Sequence, residues 1–214
     1  MGDVVITMKC ISDETNVSTV PIVNVVVASA LDALDEQVWE LFVNNPLFIS
    51  VARVVTSVGV LSVLLPLCVV SGVYLWRSTS SALIAITPWI VVQLNSVVVA
   101  SLKEWTNVVR PPREFWITAA SAGSFPSGHV ANTTAFIVVN VVLLLQIHTQ
   151  RKQTFLAFGA VVCVAMAWSR LALNVHWFSD VVAGWFVGAA TAFVVLQLMQ
   201  RIKSQRESQL QTRG

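Results

Sequence analysis

Charged side chains are scarce in this sequence. Only 11% of its 214 residues are Asp, Glu, Lys or Arg, whereas 56% are hydrophobic. Soluble domains usually contain about 25% charged and about 45–50% apolar residues. This scarcity excludes an ordinary soluble domain, and the mean hydropathy of +0.74 indicates an integral membrane protein. We therefore predict a single integral membrane domain that covers residues 1–214.

The sequence also lacks a surplus of charge of one sign. Its 13 Lys and Arg residues nearly balance 11 Asp and Glu residues, which leaves a net charge of +2, and the basic residues are scattered. Because nucleic-acid binding needs a clustered basic surface, we expect no nucleic-acid partner. Cysteines are few as well. Cys10, Cys68 and Cys163 are far apart, which is typical of small buried hydrophobes and not of a disulfide or metal site.

The first residues lack the basic start, apolar run and small-residue cleavage site of a secretory signal. Insertion is therefore expected to depend on internal apolar segments, of which five reach the roughly 20 helical residues that cross a bilayer. They cover residues 51–76, 82–102, 129–148, 154–173 and 177–199. Residues 20–31 form a shorter apolar segment that could cross, lie in the interface or pack on the other helices. The predicted fold is all-α, a polytopic transmembrane helix bundle with five firm spans and a candidate sixth at the N-terminus.

These segments divide the domain into three parts. Residues 17–50 hold the weak first span and an amphipathic outer segment, residues 51–200 form the catalytic helix bundle, and residues 201–214 form a solvated, frayed tail. Residues 103–128 make the longest connection, and long connections often carry function. Counting crossings places this loop and residues 170–180 on one face of the membrane. The opposite face collects basic residues, so the positive-inside rule makes it cytoplasmic, together with the C-terminus.

Three clusters of polar residues lie on the outward face. The first contains Lys103 and Arg110, the second is the run SFPSGH at 124–129, and the third contains Arg170, His176 and Asp180. Lys103, Arg110 and Arg170 supply three cations, and an arginine side chain is shaped to bind phosphate oxygens in pairs. The clusters therefore predict a phosphate site.

The second cluster predicts a further phosphate-binding element. Ser127, Gly128 and His129 begin a helix, and the free amide groups and positive dipole of a helix start favour an anion. Glycine at position 128 lets the backbone approach a ligand closely. We therefore expect the start of this helix to face the same phosphate as the cations.

The third cluster adds a nucleophile. His176 and Asp180 are four residues apart, so on one helix they share a face, and the carboxylate can hold one imidazole nitrogen while the other attacks phosphorus. His129 arrives from a different helix and could protonate the departing oxygen. The predicted reaction is phosphate hydrolysis through a phosphohistidine, for which no metal and no other cofactor is expected.

The same residues carry a family resemblance. The three clusters resemble, in order and spacing, the signature motifs of the type 2 phosphatidic acid phosphatase superfamily: Lys103 with Arg110-Pro111, Pro126-Ser127-Gly128-His129, and Ser169-Arg170 with His176 and Asp180. The resemblance implies His176 as nucleophile, Asp180 as its partner and His129 as acid. It also implies a phosphate held by five residues, namely Lys103, Arg110, Ser127, Gly128 and Arg170. The implied activity is that of a metal-independent lipid phosphatase at the outer leaflet.

Other interpretations remain open at this stage. The third cluster could be a structural polar contact between helices, and His129, His176 and Asp180 could bind zinc, although three nearby cations would repel that ion. The vanadate-dependent haloperoxidases have a vanadate pocket that resembles the predicted phosphate pocket, but those enzymes are soluble. A lipid-phosphate binder or transporter would need the cations without the nucleophile. The expected partners are the membrane and a phosphatidyl or polyprenyl phosphate, with a preference for the polyprenyl carrier, and the sequence leaves the oligomeric state open.

Overall fold

The structure is a computed structural model, and it describes residues 22–43, 49–120 and 123–211. These ranges contain seven α-helices and no strand, so the predicted all-α fold is confirmed. The helices are α1 Ile22–Val43, α2 Ile49–Val58, α3 Leu61–Thr79, α4 Ala82–Thr106, α5 Gly128–Ile147, α6 Lys152–Ala172 and α7 Phe178–Gln211. Two 3-10 turns, Arg113–Phe115 and Thr149–Arg151, lie in the connections that follow α4 and α5.

Five of these helices, α3 to α7, are long and apolar enough to cross a membrane, as the sequence predicts. The chain is a multi-pass membrane protein. Successive spans run in opposite directions because the connections between α3 and α4 and between α5 and α6 are short. The ends of α4 and α6 and the starts of α5 and α7 therefore lie at the same end of the bundle, which we name the motif end.

The first predicted span, 51–76, is wrong as a single helix. The chain breaks after Val58, and only the second piece, α3, is long enough to cross. Gly59 in the break packs against α6, where a Cβ atom would lie 2.8 Å from Cε of Met166. The ten residues of α2 would span roughly 15 Å, which is half a bilayer core. The short helix packs against α6 instead of crossing.

The N-terminal candidate span falls in α1, which begins at Ile22; residues 17–21, and Cys10 before them, lie outside the described residues. α1 is not among the helices apolar enough to cross, because Asp32, Asp35, Glu36 and Glu40 occupy its second half. That half packs on α6 and α7 through side chains such as Phe42. Of the three predicted roles, packing against other helices is therefore seen, and a membrane crossing by residues 20–31 stays a prediction.

The packing of α5 against α7 positions the site. A Cβ atom at Gly188 would lie 2.3 Å from the backbone oxygen of Ala131, and one at Gly184 would lie 3.0 Å from that of Ser127. Small residues allow helix backbones to approach closely in membranes, where van der Waals packing drives association. The close approach brings the start of α5 beside the start of α7.

A polar contact inside the bundle joins α4 to α5. The side-chain amide of Asn95 is fully buried and donates from Nδ2 to Oδ1 of Asn132 at 2.6 Å, and Ser96 donates to the same oxygen at 3.3 Å. A buried amide without such a partner would be costly in an apolar medium. The contact therefore fixes α4, and with it Lys103 two turns further on, relative to α5.

The C-terminal tail differs from its prediction. α7 continues as a helix to Gln211, so the expected frayed end is wrong for residues 201–211, whereas residues 212–214 lie outside the described part. The side chains of residues 201–206 are exposed, as expected of a solvated segment. The helix continues through residues 201–211 because this segment contains no glycine or proline to end it.

Candidate functional site

The structure brings the predicted site residues together at the motif end. Lys103 lies in the last turn of α4 and Arg170 in the last turn of α6, while Gly128 begins α5. His176 lies in the connection between α6 and α7, and Asp180 lies in the first turn of α7. The ends of four spans thus meet around one point. The sequence predicts that these ends lie on the same face of the membrane, but it does not predict that they are in contact.

His176 and Asp180 form a buried pair. Nδ1 of His176 lies 3.1 Å from Oδ2 of Asp180, and the two side chains are 2% and 0% exposed. The predicted reason for this contact is wrong, because His176 precedes α7 and does not share its helix. Instead Oδ2 of Asp180 accepts the backbone N–H of Trp177 at 2.8 Å, as an acidic side chain does when it caps its own helix. This cap turns the carboxylate toward the preceding histidine.

The other nitrogen of His176 faces a cation. Nε2 lies 3.1 Å from Nη1 of Arg110, and Arg110 also donates to the backbone oxygens of Val175 at 2.5 Å and Gly123 at 2.9 Å. A guanidinium group only donates, so Nε2 is the accepting nitrogen and Nδ1 carries the hydrogen that Asp180 accepts. The lone pair of Nε2 is therefore directed away from Asp180 and into the site.

The imidazole of His176 is neutral at ordinary pH. Burial lowers the pKa of His176 to about 3, with further lowering from Arg170 and Arg110, while Asp180 raises it in part. Burial also lowers the pKa of Arg110, and the charge of Asp180 opposes that change. A neutral imidazole keeps a lone pair on Nε2, which accepts from Arg110 in this structure and is the pair that a nucleophilic histidine uses.

Lys103 holds the end of the long loop next to the site. Its Nζ donates to the backbone oxygens of Gly123 at 2.8 Å and Ser124 at 3.1 Å. Gly123 has a φ of +68°, and a Cβ atom there would lie 3.2 Å from Cβ of Lys103, so a larger residue would be strained. Lys103 and Arg110 thus share the carbonyl of Gly123, which orders the end of the long loop.

Ser124 is a site residue to which the sequence assigned no role. Its hydroxyl donates to Oδ2 of Asp180, the same oxygen that His176 contacts, and Ser124 is fully buried. Ser124 is the first residue of the run SFPSGH, so its place in the second cluster could have indicated a role in the site. The third hydrogen bond helps to keep the Asp180 carboxylate in place.

Ser127, Gly128 and His129 begin α5, as predicted. The Ser127 side chain is fully buried and makes no capping bond to the helix, and its Oγ has no partner in the described part of the chain. A Cβ atom at Gly128 would meet Val99 at an ordinary 3.5 Å, so packing within the protein does not require glycine there. His129 lies within electrostatic range of four site residues: Lys103, Arg110, Arg170 and His176.

Arg170 is 4% exposed and is held by a residue from the unexpected helix α2. Its Nη1 donates to Oγ1 of Thr56 at 2.5 Å. Its Nε, like Oγ of Ser127, has no hydrogen-bond partner among residues 22–43, 49–120 and 123–211. Buried donors without partners are costly, so a site that keeps two of them suits an incoming anion.

An open cavity of about 370 Å³ adjoins the site. Arg113, Trp116 and residues 117–120 line it, and the Trp116 ring lies 6.0 Å from Cζ of Arg110. The described residues contain no group of three or more His, Cys, Asp or Glu side chains placed to hold one metal ion. The three side chains considered for zinc therefore do not form such a group in this structure.

A family model for the PAP2 superfamily matches residues 84–204, which is more than half of the chain. This chain belongs to the PAP2 superfamily. The matched region contains the eight predicted site residues, and the resemblance of the three clusters is confirmed. As a family member the chain carries its motifs on the helix ends of a membrane bundle.

Individual relatives agree with this assignment. The chain is 29% identical over 188 residues to phosphatidylglycerophosphatase B of Bacillus subtilis (strain 168), covering 84% of this chain and 90% of the relative. The crystal structure of a transmembrane PAP2 type phosphatidylglycerolphosphate phosphatase from Bacillus subtilis is 27% identical with a TM-score of 0.72, over 83% of this chain and 88% of that one. LpxE of Aquifex aeolicus has a TM-score of 0.61 at 22% identity, over 75% of this chain and 93% of that one, which shows the shared fold alone. The family and the two Bacillus subtilis relatives support a lipid phosphatase.

Proposed function

We propose that this protein hydrolyses the terminal phosphate of a membrane lipid through a phosphohistidine at His176, without a metal ion. One observation carries the proposal: the buried His176 gives Nδ1 to Asp180 and directs Nε2 toward Arg110, beside two donors that lack partners. A binder would need the cations but not an oriented, neutral imidazole.

In the first half of the reaction, phosphate oxygens take the donors of Ser127 and Arg170, and phosphorus comes to face Nε2 of His176. The N–P bond forms with the lone pair of Nε2 while the P–O bond to the lipid breaks. The hydrogen on Nδ1 stays bonded to Asp180, whose charge stabilises the imidazole as it becomes positive. His129 donates a proton to the departing lipid oxygen as general acid.

In the second half, water replaces the lipid alcohol. His129, now without its proton, accepts one from the water as its oxygen attacks phosphorus, and the N–P bond breaks to return His176 to its neutral form. Inorganic phosphate leaves. Lys103, Arg110 and Arg170 stabilise the charge on the equatorial oxygens in both steps, which is usually the largest single contribution to catalysis.

For the lipid, phosphatidylglycerophosphate is the substrate to test first, because the relatives named for it match most of this chain. The polyprenyl phosphates and diphosphates preferred from the sequence stay a prediction. Both substrate classes present a phosphate to the same cations. They differ in what adjoins that phosphate, and the cavity lined by Arg113 and Trp116 lies where the rest of a head group could bind.

The motif end is proposed to face the outside of the cell. Basic side chains gather at the other end of the bundle, and the positive-inside rule assigns such an end to the cytoplasm. They are Arg77 at the end of α3, Arg151 and Lys152 between α5 and α6, and Arg201, Lys203 and Arg206 in α7. The substrate phosphate would then reach the site from the outer leaflet, and the C-terminus would be cytoplasmic.

The test is phosphate release in detergent from phosphatidate, phosphatidylglycerophosphate and polyprenyl mono- and diphosphates, with and without EDTA. Wild-type protein should release phosphate equally with the chelator, and His176→Ala should abolish release. His148→Gln is the matched control, because His148 lies at the opposite end of α5 and contacts Tyr74 at 2.5 Å. Release that survives His176→Ala, or that EDTA abolishes, contradicts the mechanism. Halide oxidation in the presence of vanadate would support the haloperoxidase alternative instead.

A further inference from the structure

The second half of α1 contains four acidic residues, of which one is buried and the other three are exposed. Residues 30–34, 36 and 37 are exposed, whereas Asp35 is 3% exposed. A carboxylate is seldom buried unless it is paired or hydrogen-bonded. Asp35 lies outside the three sequence clusters and outside the region that matches the family model, so neither assigns it a role.

Asp35 binds the first turn of α7 with both of its oxygens. Oδ1 accepts the backbone N–H of Ser179 at 2.7 Å, and Oδ2 accepts the hydroxyl of Ser179 at 2.6 Å. The first N–H groups of a helix have no partner within it, and a negative charge is favourable there. Asp35 therefore caps α7 from another helix, 144 positions away in the chain.

The capped turn carries the catalytic pair. Ser179 immediately precedes Asp180, and Asp180 binds the N–H of Trp177 and Nδ1 of His176 through Oδ2. The backbone N–H of Ser127 donates to the backbone oxygen of Asp180 at 3.0 Å. The turn is thus held from α5 at Asp180, from α1 at Ser179, and from the long loop, where Arg110 donates to the oxygen of Val175 and the indole N–H of Trp177 donates to that of Val109. Loss of the hold at Ser179 would let the first turn of α7, and Asp180 with it, shift relative to His176, which the loop holds.

We propose that Asp35 is a positioning residue that fixes the first turn of α7 and so aims Nε2 of His176 at the substrate phosphorus. α1 is then part of the catalytic architecture. The rest of its contact is apolar: Val38 and Phe42 pack against the cluster that includes Val181, and the Trp39 ring lies 6.5 Å from that of Trp177. These contacts dock the helix, and Asp35 transmits its position to the catalytic turn.

The test compares Asp35→Asn with wild-type protein in three measurements: kcat, KM and the affinity for orthovanadate, a phosphate mimic. Asn keeps the shape but presents an NH2 group to one of the two Ser179 donors. Misplacing a reacting group by about 1 Å can cost about 100-fold in rate, so we expect kcat to fall by about 10- to 100-fold. We expect KM to change by less than about threefold, because the phosphate-binding cations remain, and vanadate affinity to fall by about tenfold.

Two controls separate positioning from packing. Val38→Ala weakens the docking of α1 without touching the bonds to Ser179, and exposed Asp32→Asn removes a charge from the same helix. Even if Val38→Ala loses as much thermal stability as Asp35→Asn, its kcat should stay within about threefold of wild type. An equal loss of kcat in Val38→Ala, or an unchanged kcat and vanadate affinity in Asp35→Asn, would overturn the proposal.

A second variant decides the matter if Asp35→Asn does not fold. Ser179→Ala removes the bond to Oδ2 of Asp35 and keeps the backbone bond to Oδ1. We therefore expect a smaller fall in kcat and in vanadate affinity than in Asp35→Asn. If neither kcat nor vanadate affinity changes, the positioning role is refuted. The inference rests on the proposed function, and vanadate separates the two. Protein that binds vanadate but releases no lipid phosphate refutes the proposed turnover and still allows the Asp35 comparison. Protein that does neither overturns both.

Discussion

Asp180→Asn tests whether the tautomer of His176 governs the chemistry. The substitution keeps the size of the side chain but replaces one carboxylate oxygen by an NH2 group, which only donates. In the wild-type protein, Oδ2 of Asp180 accepts hydrogen bonds from Ser124, His176 and Trp177. If the amide oxygen takes the place of Oδ2, all three hydrogen bonds persist and only the charge of Asp180 is lost. If the NH2 group takes that place, it faces Nδ1 of His176 and selects the tautomer with hydrogen on Nε2. That tautomer has no lone pair to attack phosphorus.

The expected loss is large. The corresponding change in a Ser-His-Asp hydrolase lowers kcat by about 10⁴ while the geometry persists. We expect phosphoenzyme formation by Asp180→Asn to slow by about 10³ to 10⁴, which corresponds to about 4 to 5.5 kcal/mol in the barrier. KM should change little, because the cations that bind phosphate are retained.

Rapid quenching with radiolabelled lipid phosphate measures this step directly, since it traps the phosphohistidine before hydrolysis. Ser124→Ala is the matched control, because it removes one hydrogen bond to Asp180 but leaves the contact between Asp180 and His176. A single lost hydrogen bond to a charged group costs about 1.5–3 kcal/mol, so a loss of roughly 10- to 150-fold is its upper range. Phosphoenzyme formation by Asp180→Asn within tenfold of wild type would refute the tautomer argument.

Two further predictions concern stability. Burial lowers the pKa of His176 to about 3, whereas in the unfolded chain a histidine has a pKa of about 6.5, so the unfolded state binds a proton that the folded state does not. The stability linked to His176 is therefore full above pH 6.5 and is lost as pH falls from 6.5 toward 3. Relative to His176→Gln, wild-type protein should lose about 3 kcal/mol between pH 7.5 and pH 4.5, because two pH units lie between 6.5 and 4.5 and each corresponds to a little more than 1 kcal/mol. Denaturation in detergent measures the difference, and a gap that does not change with pH refutes it. Gly188→Val should destabilise the bundle by about 1–3 kcal/mol or more, because its Cβ would lie 2.3 Å from the Ala131 backbone oxygen. The exposed Ala190→Val should leave the melting temperature unchanged, and an equal loss in both variants would contradict the packing argument.

Spans and motif clusters were accessible from the sequence because they depend on local composition. The predicted span 129–148 and the helix Gly128–Ile147 nearly coincide, since a polar run ends where the apolar run begins. Each site residue lies close to such a boundary, and antiparallel spans place alternate boundaries on the same face. The convergence of the clusters at one end of the bundle therefore follows from counting crossings.

The break after Val58 was not accessible in the same way. Residues on both sides of it are apolar, and Gly59 alone does not indicate a break, because glycine is frequent in transmembrane helices. The break is set by tertiary packing, where Gly59 lies against the side chains of Met166 and Thr133. Its consequence for the site is specific, since the separate helix α2 brings Thr56 to Arg170.

Contacts between positions that are far apart in the chain also could not be predicted from the sequence. Thr56 and Arg170 are 114 positions apart, and Asp35 and Ser179 are 144 apart. A single sequence records which side chains are polar but not which of them meet. Asp35 was therefore one of four acids that follow the weak span, and its burial against α7 distinguishes it from exposed neighbours such as Asp32.

The way in which the cations are held suits the proposed phosphate site, because their charge is in place before a phosphate binds. The hydrogen-bond partners of Lys103 are the carbonyls of Gly123 and Ser124, and the partner of Arg170 is the hydroxyl of Thr56. Such neutral oxygens fix the direction of a charged side chain but do not cancel its charge. Among the residues that the structure describes, neither Lys103 nor Arg170 has an ion-pair partner, so in the proposed reaction a phosphate dianion binds without first breaking one. This preorganisation is what allows fixed charges to stabilise a transition state without reorganisation during the reaction.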